Sequence, residues 1–317
     1  MEGVRELRNI LITGGAGYIG SILTETLLSK NYNVHVIDTF TENNSSLTFA
    51  ATYGGFDCTR ADVIDFDGIR NLVERSDVII PLAALVGAPI CARHATLAEL
   101  VNYQSVKNIA DIVTDDQLLI YPNTNSGYGV MDSNSQYCTE DSPLHPISIY
   151  GETKVRAEQS VIEKNGIAFR LATVFGSSYR MRIDLMVNDF VWRAYKDNSI
   201  VLFESHFRRN FIHVRDVCAA FVHGIENHDK MRGNVYNVGL STANLTKLEL
   251  CEKIKLYFPS LAIILAEIGE DPDKRDYLVS NEKLESTGWK PSYSLDDGIS
   301  ELKKFYRTFK PNVAGNV

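Results

Sequence analysis

Apolar runs of strand length alternate with amphipathic helical stretches along the first half of the chain. The run over 9–15 leads into a helix expected near 18–30, and the β-branched run 33–38 ends in Asp38. A short strand and turn occupy 56–63, a helix is expected near 66–75, and the apolar run 77–84 follows. Apolar positions at helical spacing then cover 97–113, a strand 117–123, a helix 147–164 and a strand 167–176. Near-continuous apolar strands alternating with helices imply a parallel sheet covered on both faces. Right-handed crossovers make that a doubly wound α/β domain.

Beyond residue 176 the rhythm changes. A helix is expected over 180–195, short strands over 200–203 and 210–214 around a basic cluster, a helix over 245–258 and a strand over 262–268. The expected organisation is a Rossmann domain over 1–176, rejoined by later chain at about 208–240. A smaller C-terminal lobe, mainly within 177–317, would bind substrate, and the tail 310–317 would fray.

The net charge of −8 argues against nucleic acid or an anionic membrane as the main partner. The 5 cysteines are scattered and odd in number, as expected of free thiols in a reducing cytoplasm. With a charged N-terminus leading directly into a strand-like run, no signal peptide is expected, and no apolar run approaches the about 20 residues that span a bilayer. The 7 histidines have no metal-ligand spacing, so no metal is expected.

Chemistry enters at 12–21. Gly14, Gly17 and Gly20 form G-x-x-G-x-x-G, and Gly15, Gly17 and Gly20 also satisfy G-x-G-x-x-G. Lying between a strand and a helix, such a loop gives a tight turn, close backbone approach to a pyrophosphate and free N–H groups at the helix start. Asp38 ends the second strand 18 residues after Gly20. A carboxylate there accepts hydrogen bonds from a ribose 2′-OH and repels a 2′-phosphate, which favours NAD over NADP. Further on, Tyr150 and Lys154 sit four apart on one helical face. A nearby ammonium and a positive nicotinamide ring favour the phenolate. Lowering a tyrosine pKa by about 2–3 units corresponds to roughly 3–4 kcal/mol.

These stretches, with "ADV" (61–63), "PLAA" (81–84), Asn102, "NTNSGYG" (123–129), "RLATVFG" (170–176), "RRNFIHVRDV" (208–217), "VYNVG" (235–239) and "GWKP" (288–291), resemble the extended short-chain dehydrogenases/reductases. Within these, the chain is similar to the NAD-dependent nucleotide-sugar epimerase/dehydratase superfamily over roughly 9–307. The resemblance implies that the Gly14–Gly20 loop, with Tyr18 and Ile19, binds NAD. It implies that Asp62 and Val63 hold the adenine edge, that Leu82, Ala83 and Ala84 line the cofactor, and that Asn102 steadies the active-site helix. Thr124 would hydrogen-bond the reacting sugar hydroxyl. Tyr150 would take its proton as C4 gives hydride to NAD, and Lys154 would bind the nicotinamide ribose.

In relatives that eliminate water across C5–C6, an Asp-Glu pair follows this Ser/Thr. Here Asn125 and Ser126 stand there, and neither readily exchanges protons near neutral pH, so 4,6-dehydration is not expected. Asn125 and Ser126 are counted on the sugar side, with Thr173 and Asn188. Arg209 matches the arginine that contacts the substrate diphosphate, and Arg275 is a second candidate on a loop that departs from the family pattern. Arg180 and Arg182 read as surface or interlobe charges.

The stretches around 81–91, 121–129 and 170–189 are most similar to a branch acting on GDP-heptoses for bacterial surface polysaccharide. The implied activity is a GDP-heptose 4-dehydrogenase, with NADH reoxidised by a 2-keto acid such as 2-oxoglutarate. The alternatives are a UDP-hexose 4-epimerase and a non-catalytic NAD-binding sensor or scaffold; the intact Thr124, Tyr150 and Lys154 argue against the last. Relatives dimerise through helices corresponding to 97–113 and 147–164, so a homodimer is expected.

Overall fold

The computed structural model describes residues 8–41, 45–129, 137–266 and 276–308; Arg275 and the tail 310–317 lie outside them. The strands are β1 (Asn9–Thr13), β2 (Asn33–Asp38), β3 (Phe56–Arg60), β4 (Val78–Pro81), β5 (Leu118–Thr124), β6 (Ile167–Leu171), β7 (Thr173–Phe175), β8 (Ser199–Leu202), β9 (Arg208–His213), β10 (Val235–Val238), β11 (Asn244–Thr246) and β12 (Ala262–Leu265). The helices are α1 (Tyr18–Ser29), α2 (Phe66–Glu74), α3 (Ala88–Arg93), α4 (Ala95–Ala98), α5 (Ser105–Ile112), α6 (Ile149–Glu163), α7 (Met186–Lys196), α8 (Val214–Glu226), α9 (His228–Met231), α10 (Lys247–Tyr257), α11 (Glu282–Glu285) and α12 (Leu295–Thr308).

A seven-stranded sheet runs in the order β10-β6-β5-β4-β1-β2-β3. From β1 the chain builds outward through β2 to β3, then returns to β4 on the other side and builds away through β5 and β6. The crevice between β1 and β4 is therefore the topological switch point, where open α/β sheets bind ligands beyond the strands' carboxyl ends. Parallel register pairs Thr13 with both Ile37 and Pro81. Thus the glycine loop, Asp38 and Leu82–Ala84 all emerge level with one another.

The chain divides into two compact units. One comprises 1–123, 148–169 and 218–235, and the other 124–147, 170–217 and 236–317. The first holds a core of Leu11, Ile37, Ile79, Leu119 and Tyr121 under helices such as α2, which buries Ile69 and Val73 completely. Burying each such aliphatic side chain stabilises the fold by about 1.5–3 kcal/mol. Helix starts carry their own caps: Asp65 accepts from Gly68 N–H at α2, and Ser148 from Gly151 N–H at α6. In the second unit, β11, β9 and β7 form a three-stranded sheet and β12 and β8 a two-stranded one. Thr246 and Glu249 close a capping box at α10.

Three expected elements differ. The strand expected over 167–176 breaks at Ala172, whose N–H donates to Val238 O at 2.9 Å; Thr173–Phe175 then pairs with Phe211–His213 in the smaller sheet. The helix expected over 97–113 contains a π-helical stretch, Glu99–Gln104, with Asn102 inside it. The helix expected from 180 starts only at Met186, and Arg180 and Arg182 are buried rather than on the surface. Asn188 explains the delay. Its Oδ1 accepts from Gly176 N–H (3.0 Å) and its Nδ2 donates to Arg182 O (2.8 Å), which ties the incoming segment back on itself.

The second unit also holds a His213–Glu301 contact that sets a pH response. His213 is fully buried and stacks on Tyr293 with ring centroids 4.4 Å apart. Its Nδ1 accepts from Arg215 N–H, and its Nε2 lies 3.2 Å from Glu301 Oε2. Burial alone would raise the Glu301 carboxyl, but His213 and the Ser177 N–H and hydroxyl donors outweigh it and hold the group at about 2. A carboxyl depressed on folding stabilises the protein above its unfolded pKa, and that stability is lost as pH falls from about 4.5 toward about 2. Glu301→Gln is therefore expected to cost about 2–3 kcal/mol at pH 7. The gap from wild type should close as urea unfolding is followed down to pH 2, and a gap that ignores pH would contradict the assignment.

Candidate active site

The glycine loop is shaped by close backbone approach. Gly14 has φ +72°, and a Cβ on it would fall 2.6 Å from Ala83 N. A Cβ on Gly20 would fall 2.4 Å from Gly14 O and 2.7 Å from Gly15 Cα. Gly17 is different: a Cβ there would meet only Gly14 O, at 3.1 Å, so the loop is open on that side. Gly17 is also the N-cap of α1, with no side-chain cap and no acidic residue in the first turn. The N-cap of this 12-residue helix thus brings no side chain of its own over the leading amides, and the helix dipole adds positive potential there. This cradle fits the pyrophosphate of a dinucleotide. Tyr18 is buried and Ile19 half-buried at the same helix start.

Asp38 lies beside the loop, accepting from Ala16 N–H at 3.0 Å and Phe40 N–H at 2.9 Å. Asp62 is exposed and accepts from Ile64 N–H, while Val63 is buried. Leu82, Ala83 and Ala84 are half-buried after β4, and Leu82 N–H donates to Thr13 O at 2.9 Å. Asn102 staples the continuation of this run. Its Oδ1 accepts from Leu85 N–H (2.8 Å), its Nδ2 donates to Leu85 O (3.0 Å), and Thr153 Oγ1 is 3.5 Å from Nδ2. Thr153 belongs to α6, so Asn102 links the chain after β4 to the helix that carries Tyr150 and Lys154.

On α6, Tyr150 is half-buried and Lys154 is 5% exposed. The Lys154 Nζ sits 4.1 Å from the ring centroid of Tyr121, which lies on β5 and is fully buried. Burial pulls the Lys154 ammonium down to about 7, with the Glu158 carboxylate opposing it. Burial drives the Tyr121 phenol well above its ordinary range, reinforced by Tyr150 and Glu158. Tyr121 therefore stays a neutral ring under the ammonium and cannot act as a base.

Thr124 ends β5 and caps the turn that follows, with Ser126 N–H donating to its Oγ1 at 3.1 Å and the two hydroxyl oxygens 2.9 Å apart. Asn125 is 1% exposed, and neither carboxamide atom has a protein partner among the described residues. Tyr128 anchors the loop by donating to Asn237 Oδ1 at 2.7 Å and accepting from Arg170 at 3.0 Å. Also in this unit, Thr173 starts β7, half-buried, and Arg209 is buried with its guanidinium 5.6 Å over the Tyr277 ring. Asn188 has both ends of its carboxamide committed to backbone, as described above.

Sequence reasoning assigned no role to Glu158 or to Asn123. Glu158 is 4% exposed and accepts from Asn123 Nδ2 at 2.5 Å. The spacing 150, 154, 158 on one helical face was the available signal. No group of metal-binding side chains occurs among the described residues, and no described helix is long and apolar enough to cross a membrane.

A family model described as NAD dependent epimerase/dehydratase family matches residues 10–239. The chain is 27% identical over 312 residues to the low-salt glycan biosynthesis protein Agl12 of Haloferax volcanii, covering 94% of this chain and 98% of that one. It is 23% identical to a putative UDP-glucose 4-epimerase of Methanocaldococcus jannaschii, covering 92% and 96%. In fold it is similar to the UDP-glucuronic acid 4-epimerase of Bacillus cereus, solved with UDP-glucuronic acid and NAD. That match has a TM-score of 0.82 at 22% identity, covering 94% of this chain and 98% of that one.

Proposed function

Because the chain belongs to the NAD dependent epimerase/dehydratase family, we propose that it oxidises the C4 carbinol of a nucleotide-activated sugar. The leading form is a GDP-heptose 4-dehydrogenase that makes a 4-keto sugar for bacterial surface polysaccharide. The observation that carries the common chemistry is the inner face of α6, where Tyr150 precedes a buried Lys154 packed on the Tyr121 ring.

NAD, when bound, supplies the hydride acceptor for C4. The residues that hold it are Gly14, Gly17 and Gly20 with the start of α1 at the pyrophosphate, Asp38 at the adenosine ribose, Asp62 and Val63 at the adenine, and Leu82–Ala84 and Lys154 toward the nicotinamide. Thr124 orients the C4 hydroxyl and Tyr150 removes its proton. The C4–H bond breaks as the C4=O bond forms. Lys154 supplies the positive charge that makes a phenolate accessible. Asn125 and Ser126 contact the sugar, and Arg209 meets the diphosphate, with Arg275 as a further candidate. With no carboxylate at 125 or 126, the 4-keto sugar keeps its C5 and C6 substituents.

A UDP-hexose 4-epimerase is the second reading, favoured by the epimerases among the similar proteins. The two differ in the fate of the ketone. In an epimerase hydride returns to the opposite face with no net oxidation. In a dehydrogenase the ketone leaves, and a 2-keto acid such as 2-oxoglutarate takes the electrons. A homodimer built on 97–113 and 147–164 is part of the proposal, supported by the exposed Leu97 and Leu100 beside α6.

The test is incubation with GDP- and UDP-sugars, with and without 2-oxoglutarate, followed by NMR of the products. A 4-keto sugar that accumulates only with the keto acid supports the dehydrogenase. Epimerised sugar formed without it replaces that reading with the epimerase. No product from any nucleotide sugar under either condition removes both.

A further inference from the structure

We infer that Glu158, held by Asn123, is the internal counter-charge that keeps Lys154 an ammonium, and so acts as a positioning residue for proton removal by Tyr150. The inference rests on the Tyr150–Lys154 chemistry proposed above and adds two residues to it.

The geometry lies within one unit of the chain. Tyr150, Lys154 and Glu158 occupy successive turns of one face of α6, and Lys154 and Glu158 are 5% and 4% exposed. A buried carboxylate is tolerated only when other groups replace its lost hydration. Asn123 provides part of this, donating to Glu158 Oε2 at 2.5 Å while itself 3% exposed. Asn123 immediately precedes Thr124 on β5, and Tyr121 two residues earlier offers its ring to the ammonium. Alternate residues of one strand thus serve the ammonium and its counter-charge.

Other groups around Lys154 cannot take over this task. Burial raises the Cys91 thiol on α3, which stays neutral near pH 7–8. Tyr121 is held as a neutral phenol. Asn102 and Thr153 are uncharged. Glu99, before α5, lies 2.8 Å from its partner Arg156 on the half-exposed outer side of α6, and Lys107 and Asp111 on α5 pair with each other at 2.7 Å in solvent. Among the described carboxylates, Glu158 is the one whose charge acts on Lys154.

Removing that charge has a definite sign. Charges about 6 Å apart in a medium of effective dielectric near 20 shift each other's titration by about one to two pH units. Without Glu158, Lys154 loses its proton at lower pH. The form pairing a phenolate with an ammonium becomes scarcer at neutral pH, and the alkaline limb of kcat/KM moves down.

The experiment uses NAD-loaded enzyme with ¹³C-labelled lysine side chains, Lys154 being assigned by its disappearance in Lys154→Arg. In Glu158→Gln the amide oxygen can still accept from Asn123, so the fold contact is kept while the charge goes. The expected result is a Lys154 midpoint lower by about one pH unit or more, with the alkaline limb of kcat/KM following it. Asn123→Leu removes that donor while keeping the carboxylate and should move the midpoint the same way by less; it serves as the readout if Glu158→Gln is unstable. A Lys154 midpoint within about 0.3 units of wild type in both variants overturns the inference, whatever the turnover. A shifted midpoint with an unshifted kcat/KM profile upholds the charge assignment and removes Lys154 from proton transfer, which separates the inference from the reading beneath it.

Discussion

Tyr150→Phe is expected to lower turnover by about 10²–10⁴-fold while leaving NAD affinity within a few-fold of wild type. The substitution deletes one oxygen and keeps the ring, so the half-buried side chain retains its packing on α6. Phenylalanine and tyrosine have nearly equal helix propensity, and the Ser148 cap is untouched. The loss falls on the proposed proton acceptor and corresponds to roughly 3–5 kcal/mol of barrier. Stopped-flow absorbance of the reduced nicotinamide reports the chemical step, and calorimetry reports NAD binding. Full turnover in the variant would transfer the role elsewhere, and Tyr121, locked in its neutral form, could not take it.

Gly20→Ala is expected to weaken NAD binding by about 10²-fold or more. The new methyl would sit 2.4 Å from Gly14 O and 2.7 Å from Gly15 Cα, and both obstacles are backbone. No rotamer change relieves such contacts, so the loop must move, at a cost of about 1–3 kcal/mol to the fold. The displaced amides then lose alignment with the phosphates they are built to meet. Gly54→Ala is the control, since a Cβ there meets nothing within 4 Å. Calorimetric titration with NAD, alongside thermal unfolding of each variant, separates lost affinity from lost folding. Wild-type affinity in Gly20→Ala would show that the loop is not the dinucleotide cradle.

Local periodicity carried much of the fold. β1, β2, β4, β5, α1 and α6 follow from the hydrophobic spacing of their runs, the glycine loop from its pattern between a strand and a helix, and the 150/154 pair from its spacing read together with that loop and the family resemblance. What escaped is set by tertiary contacts. The break at Ala172 depends on which sheet each half of an apolar run joins, and the run itself gives no sign of it. The late start of α7 depends on the carboxamide of Asn188 holding Gly176 and Arg182. The π-helical stretch at 99–104 has ordinary helical residues, and Asn102 anchored to Leu85 was not expected within it. α8 and α12 are amphipathic helices that the less regular second half concealed. Glu158 is the instructive miss, because its position was readable but an acid on a helix is ordinarily a solvated one.

The order in which the chain visits its two units constrains how such a protein can be re-engineered. It enters the second unit at 124, 170 and 236 and returns to the first at 148 and 218. A chimera made by fusing the front of this gene to the back of a relative's would therefore mix both halves of the fold at once. On the proposed reading, in which the second unit meets the sugar and the first the coenzyme, a graft that transplants sugar preference must exchange three separate stretches together, with both ends of the first and the near end of the second abutting the segments that hold Asn123, α6 and Phe169.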